Sequence, residues 1–311
     1  MRALVTGGAG FIGSHLVEAL VARGDQVRVL DNFSTGRWEN LAGVAHRVEV
    51  LEGEVTDPTL VARAVDGVDL IFHLAAIASV QASVEDPVLV HRVNVEGTLC
   101  LLEAARRQGV KRFVFPSSAA VYGDHTALPL AEELPTRSLS PYAASKVAGE
   151  AYGRAYWASY GVPVVILRYF NVYGPRQDPT SPYSGVISIF ADRMRRGEPP
   201  VVFGDGRQTR DFLYVRDVVR ATLLAGEQEA AVGKTFNVAG GRETSVLQLV
   251  ETFNRVLNTR LSPTFAPPRP GEVRRSRADV SRARAVLGWE TTTPLIEGLT
   301  ALVKEMGDDG G

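Results

Sequence analysis

Six short apolar runs punctuate the first half of the chain: Ala3 to Thr6, Val27 to Leu30, Val48 to Leu51, Leu70 to Leu74, Phe113 to Phe115 and Val164 to Leu167. They are continuous rather than alternating, as strands covered on both faces must be. The stretches between them carry helical periodicity, Val88 to Arg107 being one example. Strand, helix, strand in strict alternation predicts right-handed crossovers and a doubly wound parallel α/β sheet. After Tyr169 the rhythm breaks into a Gly-, Pro- and Asp-rich loop from Asn171 to Gly185, followed by short mixed elements. A main domain over 1–170 and a smaller C-terminal lobe over 171–311 are therefore expected. Two stretches, around Thr235 to Val238 and Val246 to Val256, return to the parallel pattern, so segments near 210–256 interleave the lobe with the main sheet.

At 311 residues the chain suits one large or two intimately packed domains. With 34 basic and 35 acidic residues it exerts no global pull on nucleic acid or an anionic membrane, so neither is expected as a partner. An anionic ligand has to be held by locally placed Arg. The single Cys100 lies in the apolar pattern Leu99, Cys100, Leu101, Leu102, which reads as an inert thiol suited to a reducing compartment. The N-terminus runs straight into a glycine loop without room for a signal peptide, and no apolar run reaches 18 residues. A soluble, cytoplasmic protein is the expectation.

That loop is Thr6, Gly7, Gly8, Ala9, Gly10, Phe11, Ile12, Gly13, placed between a strand and a helix. Glycines permit a tight turn and close approach of the backbone, so a pyrophosphate can rest on the amides that open the helix. Asp31 follows 18 residues after Gly13 at the end of the next apolar strand, where a carboxylate accepts hydrogen bonds from a ribose diol. It would repel a 2′-phosphate, which favours NAD over NADP, with Arg37 the nearby opposing charge. The first domain therefore reads as a Rossmann NAD-binding domain and the lobe as substrate-binding.

Tyr142 and Lys146 stand four residues apart on a predicted helix, a spacing that makes them surface neighbours. A free phenol titrates near about pH 10, and a fixed cation beside it favours the phenolate. A Tyr so tuned serves as a general base.

The loop, the strand end His73-Leu74-Ala75-Ala76, Asn94 in Asn94-Val95-Glu96-Gly97-Thr98, and Tyr142 with Lys146 together resemble the extended short-chain dehydrogenase/reductase superfamily. Ser117-Ser118-Ala119-Ala120-Val121-Tyr122-Gly123-Asp124 and Arg168 to Arg176 are similar to its nucleotide-sugar epimerases, of the UDP-glucose 4-epimerase type. So are the segments Gly204 to Phe212 and Arg269-Pro270-Gly271-Glu272. The resemblance covers nearly the whole chain.

It implies a catalytic triad of Ser118, Tyr142 and Lys146, in which Tyr142 takes the proton of a sugar 4-hydroxyl while NAD accepts the C4 hydride. Lys146 would lower the Tyr142 pKa and bond the nicotinamide ribose, and Ser118 would hold the 4-oxygen. The keto sugar then turns over and takes the hydride back on its other face, without net redox change, so the NAD stays bound. Cofactor contacts are implied at Gly7, Gly10, Phe11, Ile12, Gly13, Asp31, Asn32, Ser34, Thr35, Gly36, Glu54, Val55, Leu74, Ala75, Ala76, Asn94, Tyr142, Lys146 and Tyr169, and no metal is implied. A UDP-sugar substrate would meet Ser118, Asn171, Val186, Phe203, Arg210, Arg269, Glu272 and Ser276, the two Arg clamping its diphosphate. Ser276 stands where galactose-restricted members carry a bulky Tyr, which leaves volume for a 2-acetamido group.

Sugar 4,6-dehydratases resemble one another in an Asp-Glu pair just after the triad Ser/Thr, and decarboxylases in a Glu there. This chain has Ala119 and Ala120. A rival of another class is a non-catalytic NAD-sensing regulator, since fold alone does not fix function. The segments Val88 to Arg107 and Tyr142 to Tyr160 correspond to the helix pair that joins homodimers in the family.

Overall fold

A computed structural model of the chain describes residues 1–178, 185–268 and 273–308. The first half runs β1 (Arg2–Thr6), α1 (Phe11–Arg23), β2 (Gln26–Asp31), β3 (Val48–Glu52), α2 (Pro58–Val65), β4 (Leu70–His73), α3 (Val80–Glu85), α4 (Pro87–His91), α5 (Gly97–Gln108), β5 (Arg112–Ser118), α6 (Pro141–Tyr160) and β6 (Val164–Tyr169). The second runs β7 (Asn171–Tyr173), α7 (Val186–Arg195), β8 (Val201–Phe203), β9 (Thr209–Arg210), β10 (Phe212–Tyr214), α8 (Val215–Glu227), β11 (Thr235–Val238), β12 (Thr244–Ser245), α9 (Val246–Leu257), β13 (Thr264–Ala266) and α10 (Leu295–Asp308). Seven parallel strands form the central sheet in the order β3-β2-β1-β4-β5-β6-β11. The order reverses between β1 and β4, which opens the crevice at the carboxyl ends of the strands where ligands of such sheets bind.

One face of the sheet packs Leu16, Val17 and Leu20 of α1 and Val218 and Ala221 of α8 on Val5, Val29, Phe72 and Val114. The other packs Val61 and Ala64 of α2 and Leu101, Leu102 and Ala105 of α5 on Leu4, Ile71, Phe113 and Ile166. Because both faces are covered, the strands read as continuous apolar runs. The third apolar cluster lies in the lobe, where Phe190 and Met194 of α7, Leu249 and Phe253 of α9, and Leu299 and Leu302 of α10 meet.

Two stretches differ from the sequence reading. The stretch Val88 to Arg107 is helical throughout but not uniformly α: a π turn from Arg92 to Glu96 joins α4 to α5 and carries the buried Asn94. Val246 to Val256 does not join the sheet. A capping box between Ser245 and Gln248 starts α9 there, and its apolar face joins the lobe cluster, whereas β11 pairs with β6 at the sheet edge.

Candidate active site

The glycine loop joins β1 to α1 at the crevice. Gly7 has φ +68°, and a Cβ there would lie 2.7 Å from the Ala75 amide nitrogen; a Cβ on Gly13 would lie 2.0 Å from the Gly7 carbonyl oxygen. Gly10 caps α1 without any side-chain hydrogen bond, so the first amides of the helix, from Phe11 and Ile12 onward, have no side-chain acceptor. This cradle suits a pyrophosphate. Asp31, 6% exposed at the end of β2, accepts from the Ala9 amide at 2.8 Å and the Phe33 amide at 2.9 Å, which fixes the carboxylate and leaves it lone pairs for a ribose diol. Gly36 packs on Asp31 and Ala9. Asn32 takes the Ser34 amide and hydroxyl and donates to Glu54, while Thr35 continues the same loop. Arg37 pairs with Asp178 at 2.9 Å, which gives that cation a carboxylate partner within the protein.

The strand end after β4 forms the opposite wall. The Leu74 amide bonds the Thr6 carbonyl, and the Ala75 amide bonds Thr6 Oγ1, with Ala76 following. Beneath it His73 is buried between Thr6 Oγ1 at 2.8 Å and Thr98 Oγ1 at 2.9 Å, and burial, with Lys146 adding to it, holds its pKa down to about 3. Val55 packs against Gly97 at the start of α5. Asn94, expected as a cofactor contact, is occupied by the protein itself: it accepts from the Ile77 amide and donates to the Ile77 carbonyl and to Ser145 Oγ. It ties the loop after β4 to α6, with one Oδ1 lone pair remaining. Tyr169 bonds Thr222 on α8 at 2.6 Å, and burial raises its pKa.

Ser140 caps α6 through the Ala143 amide and Pro141 fills its first turn, so Tyr142 and Lys146 enter the crevice on one helix face. Ser118, the last residue of β5, accepts from the Ala120 amide at 3.2 Å and lies close enough to the Tyr142 side chain to favour its phenolate. Lys146 donates to the Pro116 carbonyl at 2.9 Å, and its ammonium lies 5.2 Å over the Phe115 ring and 6.0 Å over the Tyr142 ring. The electrostatics depart from the sequence reading. Burial raises the Tyr142 pKa, the Ser118 hydroxyl acting against it, and burial also brings Lys146 down to about 8, with Glu150 opposing. Desolvation is the largest influence on both groups, so the polypeptide alone leaves the phenol protonated at neutral pH.

Toward the lobe, Asn171 bonds the Asp211 carbonyl through its amide and its side chain. Arg210 donates to the Val273 carbonyl at 2.7 Å, half-buried beside the segment that bears the buried Ser276. Val186 opens α7 and Phe203 closes β8, both half-buried. Arg269 and Glu272 lie outside the described residues. Two further groups escaped the sequence reading. Asp211, fully buried, gathers the amides of Gly240, Gly241 and Ala278, and Glu150 sits one turn beyond Lys146. Glu150 had a readable signal, since it continues the four-residue spacing of Tyr142 and Lys146; Asp211 had none, because its partners come from distant loops.

Residues 3–239 match the profile of a family described as the NAD dependent epimerase/dehydratase family. The chain is 44% identical over 308 residues to a UDP-glucose 4-epimerase of Mycolicibacterium smegmatis, covering 98% of each protein. Its fold is similar to that of a UDP-glucose 4-epimerase from Thermotoga maritima solved with UDP-glucose, at 40% identity and a TM-score of 0.95 over 99% of both chains. A UDP-glucose 4-epimerase of Thermus thermophilus solved with NAD is similar at 42% identity and a TM-score of 0.89, again over 99% of both chains. A profile match across the sheet, relatives aligned end to end and a glycine cradle shaped for a pyrophosphate agree: the chain belongs to the NAD-dependent epimerase/dehydratase family, with NAD as its cofactor.

Proposed function

We propose that this enzyme epimerises a UDP-hexose at C4, with UDP-glucose and UDP-galactose as its substrate pair. The observation that carries the reading is the buried Tyr142 beside Ser118, with the buried Lys146 one turn further along α6 bonded to the Pro116 carbonyl. In this reading Tyr142 removes the 4-hydroxyl proton and later returns it, Ser118 holds the 4-oxygen, and Lys146 orients the cofactor ribose. NAD, when bound, supplies the C4 hydride acceptor and a positive ring whose charge favours the phenolate that burial disfavours. The chain then has to retain the keto sugar until it has turned over and been reduced again at C4, so that only the UDP-hexose leaves. Ala119 and Ala120, in the tight turn after Ser118, offer no acid or base for elimination or decarboxylation.

Residues 1–170, with β11 and α8, would carry NAD, and the lobe would carry the UDP moiety, Arg210 facing its diphosphate. The small buried Ser276 supports acceptance of N-acetylhexosamine forms as well. Val84, Val88 and Leu89, with Tyr152, Trp157 and Tyr160 of α6, leave apolar side chains exposed, which supports a homodimer through these helices; light scattering should give twice the chain mass. No described helix is long and apolar enough to cross a membrane, and a cytoplasmic location fits the reading.

The test is Tyr142→Phe. Turnover of UDP-galactose should fall by about 10³-fold or more, with released NAD unchanged by mass spectrometry. Turnover that survives this change would refute the proposal, as would purified protein that neither carries nor binds NAD.

A further inference from the structure

The spacing that joins Tyr142 to Lys146 continues one turn further to Glu150, a carboxylate with no exposed surface that none of the steps above employs. Three consecutive residues of β5 answer three turns of α6. The Pro116 carbonyl accepts from Lys146 at 2.9 Å, Ser117 Oγ donates to Glu150 at 2.7 Å, and Ser118 lies beside the Tyr142 side chain. Arg168, the β6 register partner of Ser117, grips Glu150 with a fork, Nε to Oε1 and Nη2 to Oε2, both at 2.8 Å. Arg154 adds a contact to Oε2 at 3.1 Å. Arg168 is in turn held by the Glu132 carbonyl at 3.1 Å and lies 4.7 Å over the Tyr122 ring.

A buried ion pair is seldom more stabilising than apolar side chains of the same volume, so stability alone does not explain one placed at the junction of β5, β6 and α6. Its position relative to Lys146 does. The titratable groups that face the ammonium are Tyr142 and Glu150 of α6 and His73 of β4, which burial keeps neutral. From β5 it meets the Phe115 ring and the Pro116 carbonyl, both uncharged, and Arg168 of β6 is engaged through Glu150. Among the described residues Glu150 is therefore the anion that acts on Lys146.

We propose that Glu150, fixed by Arg168 and Ser117, is a positioning residue for the Tyr142–Lys146 pair: it seats α6 on β5 so that Tyr142 meets Ser118, and it supplies the counter-charge of the buried ammonium. The inference rests on the reading of Tyr142 as the proton carrier.

The experiment compares Glu150→Gln, Arg168→Met and the double variant in the NAD-loaded full chain. Glu150→Gln leaves a buried guanidinium unpaired and should lower the unfolding temperature, whereas the double variant removes both charges and should recover it. Both variants that lack Glu150 should lose about 10-fold or more in kcat with KM for UDP-galactose within about 3-fold of the parent. In both, the alkaline limb of the kcat profile should move to lower pH, because Lys146 releases its proton sooner without its counter-charge. Ultraviolet titration of the phenolate, taken as the difference from Tyr142→Phe, should move to higher pH, independently of turnover. A double variant of recovered stability with parental kcat and pH profile would overturn the proposal and leave Glu150 a structural residue. Ser117→Ala covers the case in which the charge variants do not fold: it keeps the ion pair, so kcat should fall with the alkaline limb in place, and unchanged kcat would overturn the positioning role. Failure of the functional reading looks different, as turnover surviving in Tyr142→Phe.

Discussion

Gly149 faces β5 from α6, and its replacement by Ala tests how closely catalysis depends on the packing of that helix. A Cβ at Gly149 lies 2.3 Å from Phe115 Cζ, and ordinary contact begins near 3.4 Å, so ring and helix must separate by 3.4 − 2.3 = 1.1 Å. Phe115 is only 2% exposed and has no open space to enter. It is also the ring over which the Lys146 ammonium sits at 5.2 Å, so the pair is disturbed whichever element yields. Overpacking of this kind costs about 1–3 kcal/mol, and the helix propensity gained from Gly to Ala returns up to about 1, for a net loss of roughly 0–3 kcal/mol. The catalytic effect is larger, since displacing a reacting group by about 1 Å lowers the rate on the order of 100-fold. Gly153→Ala is the matched control: its Cβ meets Val164 Cγ1 at 3.1 Å, an overlap of a few tenths of an ångström. UDP-galactose epimerisation, NAD content and thermal unfolding are measured for both variants. The expected order is a large kcat loss in Gly149→Ala with NAD retained, and near-parental kcat in Gly153→Ala. Full activity in Gly149→Ala, or equal losses in the two, would refute the reasoning.

Stability should fall below about pH 6.5, because His73 is neutral in the fold down to about 3 while the unfolded chain binds a proton from 6.5 downward; the loss is about 2 kcal/mol at pH 5 and roughly 5 kcal/mol in full. Chemical denaturation of His73→Gln at pH 7 and pH 5 should show a flatter dependence, and a slope equal to the parent's contradicts the assignment. Asp217 accepts at 3.0 Å from the Thr291 and Thr292 hydroxyls and the Thr293 amide, so Asp217→Asn should lose about 2–3 kcal/mol of stability with NAD content unchanged. Ser276→Tyr should reduce turnover of UDP-N-acetylglucosamine relative to UDP-glucose by about 10-fold or more through lost volume, and an unchanged ratio removes Ser276 from substrate choice.

Local patterns carried most of the architecture. The strand runs, the glycine loop opening α1, the end-of-strand Asp31 and the four-residue spacing of Tyr142 and Lys146 are short-range features, set by backbone sterics and by helix and strand periods that hold wherever the segment folds. Those features alone determined a doubly wound sheet with a dinucleotide crevice and a phenol–ammonium pair near it. Tertiary structure decided the rest. The π turn at Asn94 and the clasp of its side chain on Ile77 and Ser145 unite segments 17 and 51 residues apart. The packing of α9 into the lobe depended on which apolar face was available to cover it. The protonation of the pair was decided there too: Tyr142 is pushed up and Lys146 down by burial, which sums over every element packed around them, and Glu150 opposes it from a position fixed by Ser117 and Arg168 on neighbouring strands. Residue spacing brings two groups together, whereas the surrounding dielectric and counter-charges, which set their chemistry, exist only once the chain has closed around them.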